Sequence, residues 1–249
     1  SLVKLCVLVS AILMDGNPDN VWMAVILTLG LGLLVGLIHA FLINEFNLSP
    51  FVVTFASLFI LQGISLTITT KPIGRASRDF LMLYSQKFLG VPIIVYYFIF
   101  ITLLIMFLLR KTVFGKHIYA IGGNLSVAQL SGIPVKRVRY GVYGLCSVLA
   151  ASTGLLWLMR MGVGDPVIGK ELELNAIIAV VIGGTSLFGG RGTVTGVLGG
   201  ILLLTFTDNL LVVLGVNQFI SGLIKGIIFV VAVALYKQAD RARGGFSTP

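Results

Sequence analysis

Asn175–Gly200 reads NAIIAVVIGGTSLFGGRGTVTGVLGG, an apolar run that gives way to glycines at 183, 184, 189, 190, 192, 196, 199 and 200. Gly184 and Gly189 have the spacing of the first half of a phosphate-binding loop. That motif next needs Lys and then Ser or Thr to reach phosphate and magnesium, and Gly190 and Arg191 stand there instead. The apolar segment 173–188 is short for a full membrane crossing, and glycines follow it at once. Non-helical backbone survives at membrane depth only where protein or a water-filled cavity covers its polar groups. The stretch therefore reads as a turnaround over Gly183–Gly192 between two membrane helices. Gly192, Gly196 and Gly200, spaced by four, are expected to let helix backbones approach closely.

Outward from this stretch the chain is mostly apolar. Of its 249 residues 57% are hydrophobic and 11% charged, with a mean hydropathy of +1.04. A soluble domain carries about 25% charged residues, so the surplus of apolar side chains points to a bilayer. The predicted fold is all-α, a polytopic transmembrane helical bundle with a single domain over 1–249. Its spans are placed at about 2–14, 21–43, 51–69, 92–109, 140–159, 173–188, 193–214 and 219–236. The opening SLVKLCVLVSAILM already looks like part of a span, without an initiating Met or a signal-peptide n-region, so a missing N-terminal portion is expected. Cys6 and Cys146 both sit in apolar runs and read as small buried hydrophobes rather than as a disulfide framework.

The net charge of +9 could suggest nucleic acid as a partner, but the charges are segregated by loop. With eight alternating spans, 44–50, 110–139, 189–192 and the C-terminal tail share one side and hold ten basic residues against two acidic ones. The opposite loops hold six basic residues against seven acidic ones. The positive-inside rule makes the first side, and with it the C-terminus, cytoplasmic. Lys71, Arg75, Arg78 and Lys87 are an exception to the rule that does not overturn it. The region carrying them, 70–91, is expected to be a partly ordered loop or short surface helix. A lipid bilayer, not nucleic acid, is the expected partner.

The largest cytoplasmic loop, 110–139, is RKTVFGKHIYAIGGNLSVAQLSGIPVKRVR, basic at both ends and nearly uncharged between. Asn124 can cap a short helix over LSVAQLSG by accepting a first-turn backbone N–H, and Gly132 and Pro134 supply the stop. A mildly apolar helix held at the surface by basic flanks suits a groove on a partner protein. On residues alone, a surface turn with anchoring charges is an equal reading.

IYAIGGNLSVAQLSGIPVKRVRYGVYGLC, followed by ELELNAIIAVVIGGTSLFGGRGTVTGVLGG, resembles the sugar-importing ABC permeases of the ribose-permease family, over essentially the whole chain. Members of that family show about ten spans of membrane-crossing length, which fits the loss of N-terminal spans. The resemblance implies a permease subunit of a bacterial plasma (inner) membrane importer, paired as a homodimer or with a related permease. It further implies two cytoplasmic ATPase subunits, which would bind ATP and Mg, and an extracytoplasmic solute-binding protein. No cofactor and no catalytic site are expected on this chain. In that setting Asn124, Leu125, Val127, Ala128, Gln129, Gly132 and Ile133 look like the coupling helix that docks on the ATPase. The cargo implied is a monosaccharide, ribose or a similar pentose or hexose, with a branched-chain amino acid or nucleoside as the alternative.

Phe51, Thr54, Gln62 and Asn175, polar or aromatic residues in or beside spans, are candidates to line a path for a hydroxylated solute. Helix-to-helix hydrogen bonding is the alternative for Thr54 and Gln62. Lys225, one turn after Gly222 in the last span, is a costly intramembrane charge. It is expected to face a polar cavity, to pair with a carboxylate such as Asp208, or to snorkel. His39 and His117 lack Cys or carboxylate neighbours at ligand spacing, so no metal site is expected. An ion-coupled secondary transporter would place carboxylates or histidines at mid-membrane, whereas here acidic residues gather near span ends. An intramembrane enzyme is not supported, because no Gly-x-Ser-x-Gly or His-x-x-x-His pattern occurs.

Overall fold

A computed structural model of the chain describes residues 1–230 apart from 168, 170, 171, 187, 188, 218, 219 and 229. The order of elements is α1 (Leu2–Met14), a 3-10 turn (Pro18–Asn20), α2 (Val21–Glu45), α3 (Pro50–Ile68), α4 (Arg78–Ser85), β1 (Lys87–Phe88) and β2 (Val91–Pro92). There follow α5 (Ile93–Lys111), α6 (Val113–Gly123), α7 (Leu125–Leu130), α8 (Val135–Met161), α9 (Leu172–Ile182) and α10 (Val194–Val213). Residues 220–228 are also helical. The fold is all-α and polytopic, and β1 and β2 form a single short hairpin.

Among the described residues, five helices are long and apolar enough to cross a membrane: Pro18–Glu45, Pro50–Ile68, Ile93–Lys111, Val135–Met161 and Val194–Val213. At about 1.5 Å per residue, the 25 residues of α2 exceed the ~30 Å hydrocarbon core. The 11 residues of α9 reach only about half of it. Two of the eight expected spans, at 2–14 and 173–188, are thus short apolar helices, α1 and α9. The eighth, 219–236, runs past the described residues, as does the C-terminal tail with Lys237, Asp240, Arg241 and Arg243, for which a cytoplasmic side was expected.

Two compact units divide the chain. The first, Ser1–Leu104 with Gly132–Lys170, is built around α1, whose Cys6, Val7, Leu8, Ala11 and Met14 are wholly buried. Val7, Ala11 and Met14 meet Ala24 of α2, Phe80 of α4, and Leu155 and Leu158 of α8 in one apolar core. Lipid offers no hydrophobic drive between helices, so association depends on close backbone approach. A Cβ at Gly32 would stand 2.6 Å from Ala151 Cβ, and one at Gly154 2.7 Å from Cys6 Cβ. Polar contacts add to this packing. The nearly buried Lys4 donates to Gln62 Oε1 at 3.3 Å, which gives Gln62 an inter-helix partner.

The 70–91 region is more ordered than a loop. Ser77 caps α4 by accepting the Phe80 N–H, and Phe80 sinks into the core. Ile73 and Gly164 exchange backbone hydrogen bonds of 2.8 and 3.0 Å. Near the opposite end of α2, Glu45 pairs with Lys136 at 3.0 Å, while buried Asn44 donates to the Lys136 carbonyl and accepts from Arg139.

The second unit, Ile105–Ser131 with Glu171–Pro249, holds α6, α7 and the antiparallel pair α9 and α10. Its apolar centre is Ile178, Ala179 and Leu204. Gly196 lies against Gly183 and Gly200 against the Ala179 carbonyl, so these two helices meet backbone to backbone. Gly192 precedes α10 and lies against the Thr185 side chain.

The expected loop at 110–139 is for the most part helical: α5 runs to Lys111, α6 fills Val113–Gly123, and α8 starts at Val135. Thr112 accounts for α6, since its hydroxyl accepts the Gly115 N–H and opens a new helix directly after α5.

Candidate functional site

A cavity of about 320 Å3 lies in the second unit, lined by Leu174, Asn175, Ile177 and Ile178 of α9 and by Gly222, Lys225 and Gly226. Two of the residues singled out in the sequence, Asn175 and Lys225, thus share one cavity. Lys225 Nζ lies 2.9 Å from Asp208 Oδ1 of α10, with side-chain exposures of 13% and 41% respectively. An isolated ammonium at membrane depth is costly, and Asp208 supplies its counter-charge without the lysine snorkelling away. The pair sums to zero charge. Asn175 offers both donor and acceptor capacity, and the lysine has more N–H groups than one carboxylate contact uses. Such a set, with Ile177 and Ile178 as apolar walls, can hydrogen-bond the hydroxyls of a neutral solute.

Phe51 and Thr54 are on α3 of the first unit and are engaged within that helix. Phe51 stacks on Phe55 with centroids 5.6 Å apart, and the Thr54 hydroxyl donates to the Pro50 carbonyl at 2.9 Å.

Asn124 ends α6 and begins α7: its N–H donates to the Ala120 carbonyl, and its Oδ1 accepts the Val127 N–H at 3.1 Å. In α7, Ala128 is buried while Leu125, Val127, Gln129 and Leu130 are exposed, Leu130 to 89%. Gly132, with φ +76°, turns the chain, and Ile133 is half-buried.

Beside α7, Tyr119 and Gly122, which no sequence motif had marked as site residues, meet the glycine-rich loop. The end of α6 touches the glycine-rich loop: a Cβ at Gly122 would stand 2.5 Å from Gly190 N, and Tyr119 Oη donates to the Gly192 carbonyl at 2.9 Å. The signal was a second pair of adjacent glycines, 122 and 123, set directly before the capping Asn124. A cavity of about 460 Å3 adjoins this contact, walled by Ile105, Leu109, Tyr119 and Val197 among others. Among the described residues no three His, Cys, Asp or Glu side chains gather as a metal site would require.

Comparison with known proteins gives a consistent result. Residues 1–233 match the family described as branched-chain amino acid transport system / permease component. The chain is 42% identical over 189 residues to a probable ABC transporter permease protein, YphD, of Escherichia coli strain K12, covering 76% of this chain and 57% of that one. It is 38% identical over 200 residues to a ribose import permease protein of Bacillus subtilis strain 168, covering 79% and 62%. An L-arabinose ABC transporter permease protein of Azospirillum brasilense is 36% identical over 208 residues, covering 83% and 61%. The chain thus spans between 57% and 62% of the length of these three relatives. No solved structure gives a significant match.

Proposed function

We propose that this chain, which belongs to the branched-chain amino acid transport system permease family, is the membrane-spanning subunit of an ATP-driven importer for a monosaccharide. The observation that carries the reading is the likeness, over most of this chain, to import permeases for ribose and for L-arabinose. The assembly would set two copies of the permease, or this chain and a related one, on two cytoplasmic ATPase subunits. A solute-binding protein would deliver the sugar on the other face of the bacterial inner membrane. ATP and Mg would be held by the ATPase subunits, and the permease would perform no covalent chemistry.

Within that assembly α7 is the docking helix. Its exposed Val127 and Leu130, beside exposed Gln129, form an apolar surface of the kind that enters a partner's groove. Asn124 sets where the helix starts, and Gly132 and Ile133 follow it as the chain turns away. Closure of the ATPases around ATP would press on α7 and shift the helices attached to it. Asn175 and Lys225 would line the route and exchange hydrogen bonds with sugar hydroxyls. Phe51 and Thr54, exposed on α3, would also meet the solute within the first unit. The whole of 1–249 would form one permease domain.

The test is uptake by proteoliposomes holding the full-length permease with its ATPase and binding-protein subunits. Radiolabelled D-ribose, L-arabinose, D-xylose, D-glucose and L-leucine serve as the panel. ATP-dependent accumulation of a monosaccharide is expected. Accumulation of leucine alone would replace the sugar with an amino acid as cargo, in keeping with the family's description. Uptake that persists without the ATPase would overturn the ATP-driven reading altogether.

A further inference from the structure

We infer that the backbone contact between Gly122–Gly123 and Gly189–Gly190 transmits movement of α7 to the α9–α10 pair, making Gly122, Gly190 and Tyr119 positioning residues for transport. The inference rests on the docking role proposed for α7 and extends it to residues that touch neither the ATPase nor the solute. On one side of the contact, a single residue, Asn124, closes α6 and caps α7. A push on α7 therefore reaches Gly122 and Gly123 across a short joint.

The contact itself carries no side-chain cushion. A Cβ at Gly189 would stand 2.7 Å from the Gly122 carbonyl oxygen, and one at Gly190 would stand 2.8 Å from Gly123 Cα. Contacts between flexible side chains absorb small displacements by changing rotamer, whereas close-packed backbone passes them on. Tyr119 reinforces the joint by bonding the Gly192 carbonyl, two residues beyond Gly190. The loop is braced internally, since the Ser186 N–H donates to the Arg191 carbonyl at 2.9 Å.

Beyond the loop the path continues without slack. α10 meets α9 through Gly196 against Gly183 and Gly200 against Ala179, so the two helices shift together. They carry Asn175 and Asp208, and Asp208 holds Lys225. One line of backbone contacts thus leads from the exposed α7 to the polar cavity.

Gly123 provides an internal control. A Cβ there meets nothing within 4 Å, although Gly123 is the neighbour of Gly122 in the same helix. The full complex in proteoliposomes is assayed for ATP hydrolysis, for D-ribose uptake, or uptake of whichever panel sugar the wild type accumulates, and for retention of the ATPase during purification. Gly122→Ala is expected to retain the ATPase and its hydrolysis while uptake per ATP falls roughly tenfold. Tyr119→Phe, which removes one hydroxyl and leaves the fold intact, is expected to lower the same ratio severalfold. Gly123→Ala is expected to match wild type. The relay is overturned if Gly122→Ala and Tyr119→Phe both keep the wild-type ratio, or if Gly123→Ala loses it equally. A wild-type complex that moves no sugar at all would instead sink the proposed function, and Ala128→Asp binding the ATPase normally would sink the docking role of α7.

Discussion

Lys225 and Asp208 form an asymmetric pair: their charged atoms lie 2.9 Å apart, yet the lysine side chain is 13% exposed and the aspartate 41%. The more buried partner depends on the more exposed one. Asp208→Asn should cost about 1–3 kcal/mol by leaving a largely buried ammonium without its counter-charge. Lys225→Met retains most of the stem and leaves a carboxylate with access to solvent, so its cost should be smaller. Thermal unfolding in detergent ranks the two, and the reverse order would refute the dependence.

The α2–α8 seam depends on absent side chains. A Cβ at Gly36 would stand 2.5 Å from the Tyr143 carbonyl oxygen and 2.8 Å from Ser147 Oγ, whereas one at Gly30 meets nothing within 4 Å. Gly36→Ala should therefore destabilise by about 1–3 kcal/mol through overpacking, and Gly30→Ala should leave the unfolding midpoint unchanged. Equal midpoints for both variants would show that the seam is not set by close backbone approach.

Asn124 serves two helices, so its loss should be local and visible. Asn124→Ala should cost α7 about 1 kcal/mol of capping, which is a large share for a helix of six residues. Limited proteolysis should cut faster at 124–131 while the global unfolding temperature hardly moves. Asn124→Asp, which keeps an acceptor at the same place, should protect the segment almost as well as the native residue.

At the other end of α2, adjacent residues should behave differently. Glu45 and Lys136 form an exposed pair with 42% and 63% side-chain exposure, so Glu45→Gln should cost less than about 1 kcal/mol. Asn44 is 4% exposed and accounts for both the Lys136 carbonyl and an Arg139 N–H. Asn44→Leu should cost about 1–3 kcal/mol by leaving those groups unpaired. Chemical denaturation at two salt concentrations tests this, with only the Glu45 contribution shrinking in high salt.

The sequence yielded what hydropathy and polar cost control. All seven of the apolar segments up to 214 correspond to helices, because a run of apolar residues in lipid has few other ways to satisfy its backbone. The Asp208–Lys225 pair was one of three outcomes the sequence left open, since an intramembrane charge requires a partner, a polar cavity or a way to snorkel out. Helix α6 was not legible as a helix. VFGKHIYAIGG has glycines at 115, 122 and 123 and several β-branched and aromatic residues, all of weak helix propensity. Its start depends on the capping hydroxyl of Thr112 rather than on any periodic pattern. The β1–β2 hairpin escaped notice because Leu89, which has positive φ, is no usual turn residue. The meeting of Gly122 with Gly190 could not be read at all, since spacing along a chain does not say which glycines face one another.

The burial of α1 bears on how the protein is made. Its closest partner, α8, receives Cys6 at the notch left by Gly154, yet α8 is synthesised only after α2 to α7 have been completed. Until then the face of α1 that receives Gly154 lacks this partner. Ser10 is suited to that interval, because its hydroxyl donates to the Cys6 carbonyl within the same helix at 2.6 Å. Lys4 finds Gln62 as soon as α3 arrives. The first helix of this chain can thus satisfy its polar groups in stages, well before biogenesis encloses it.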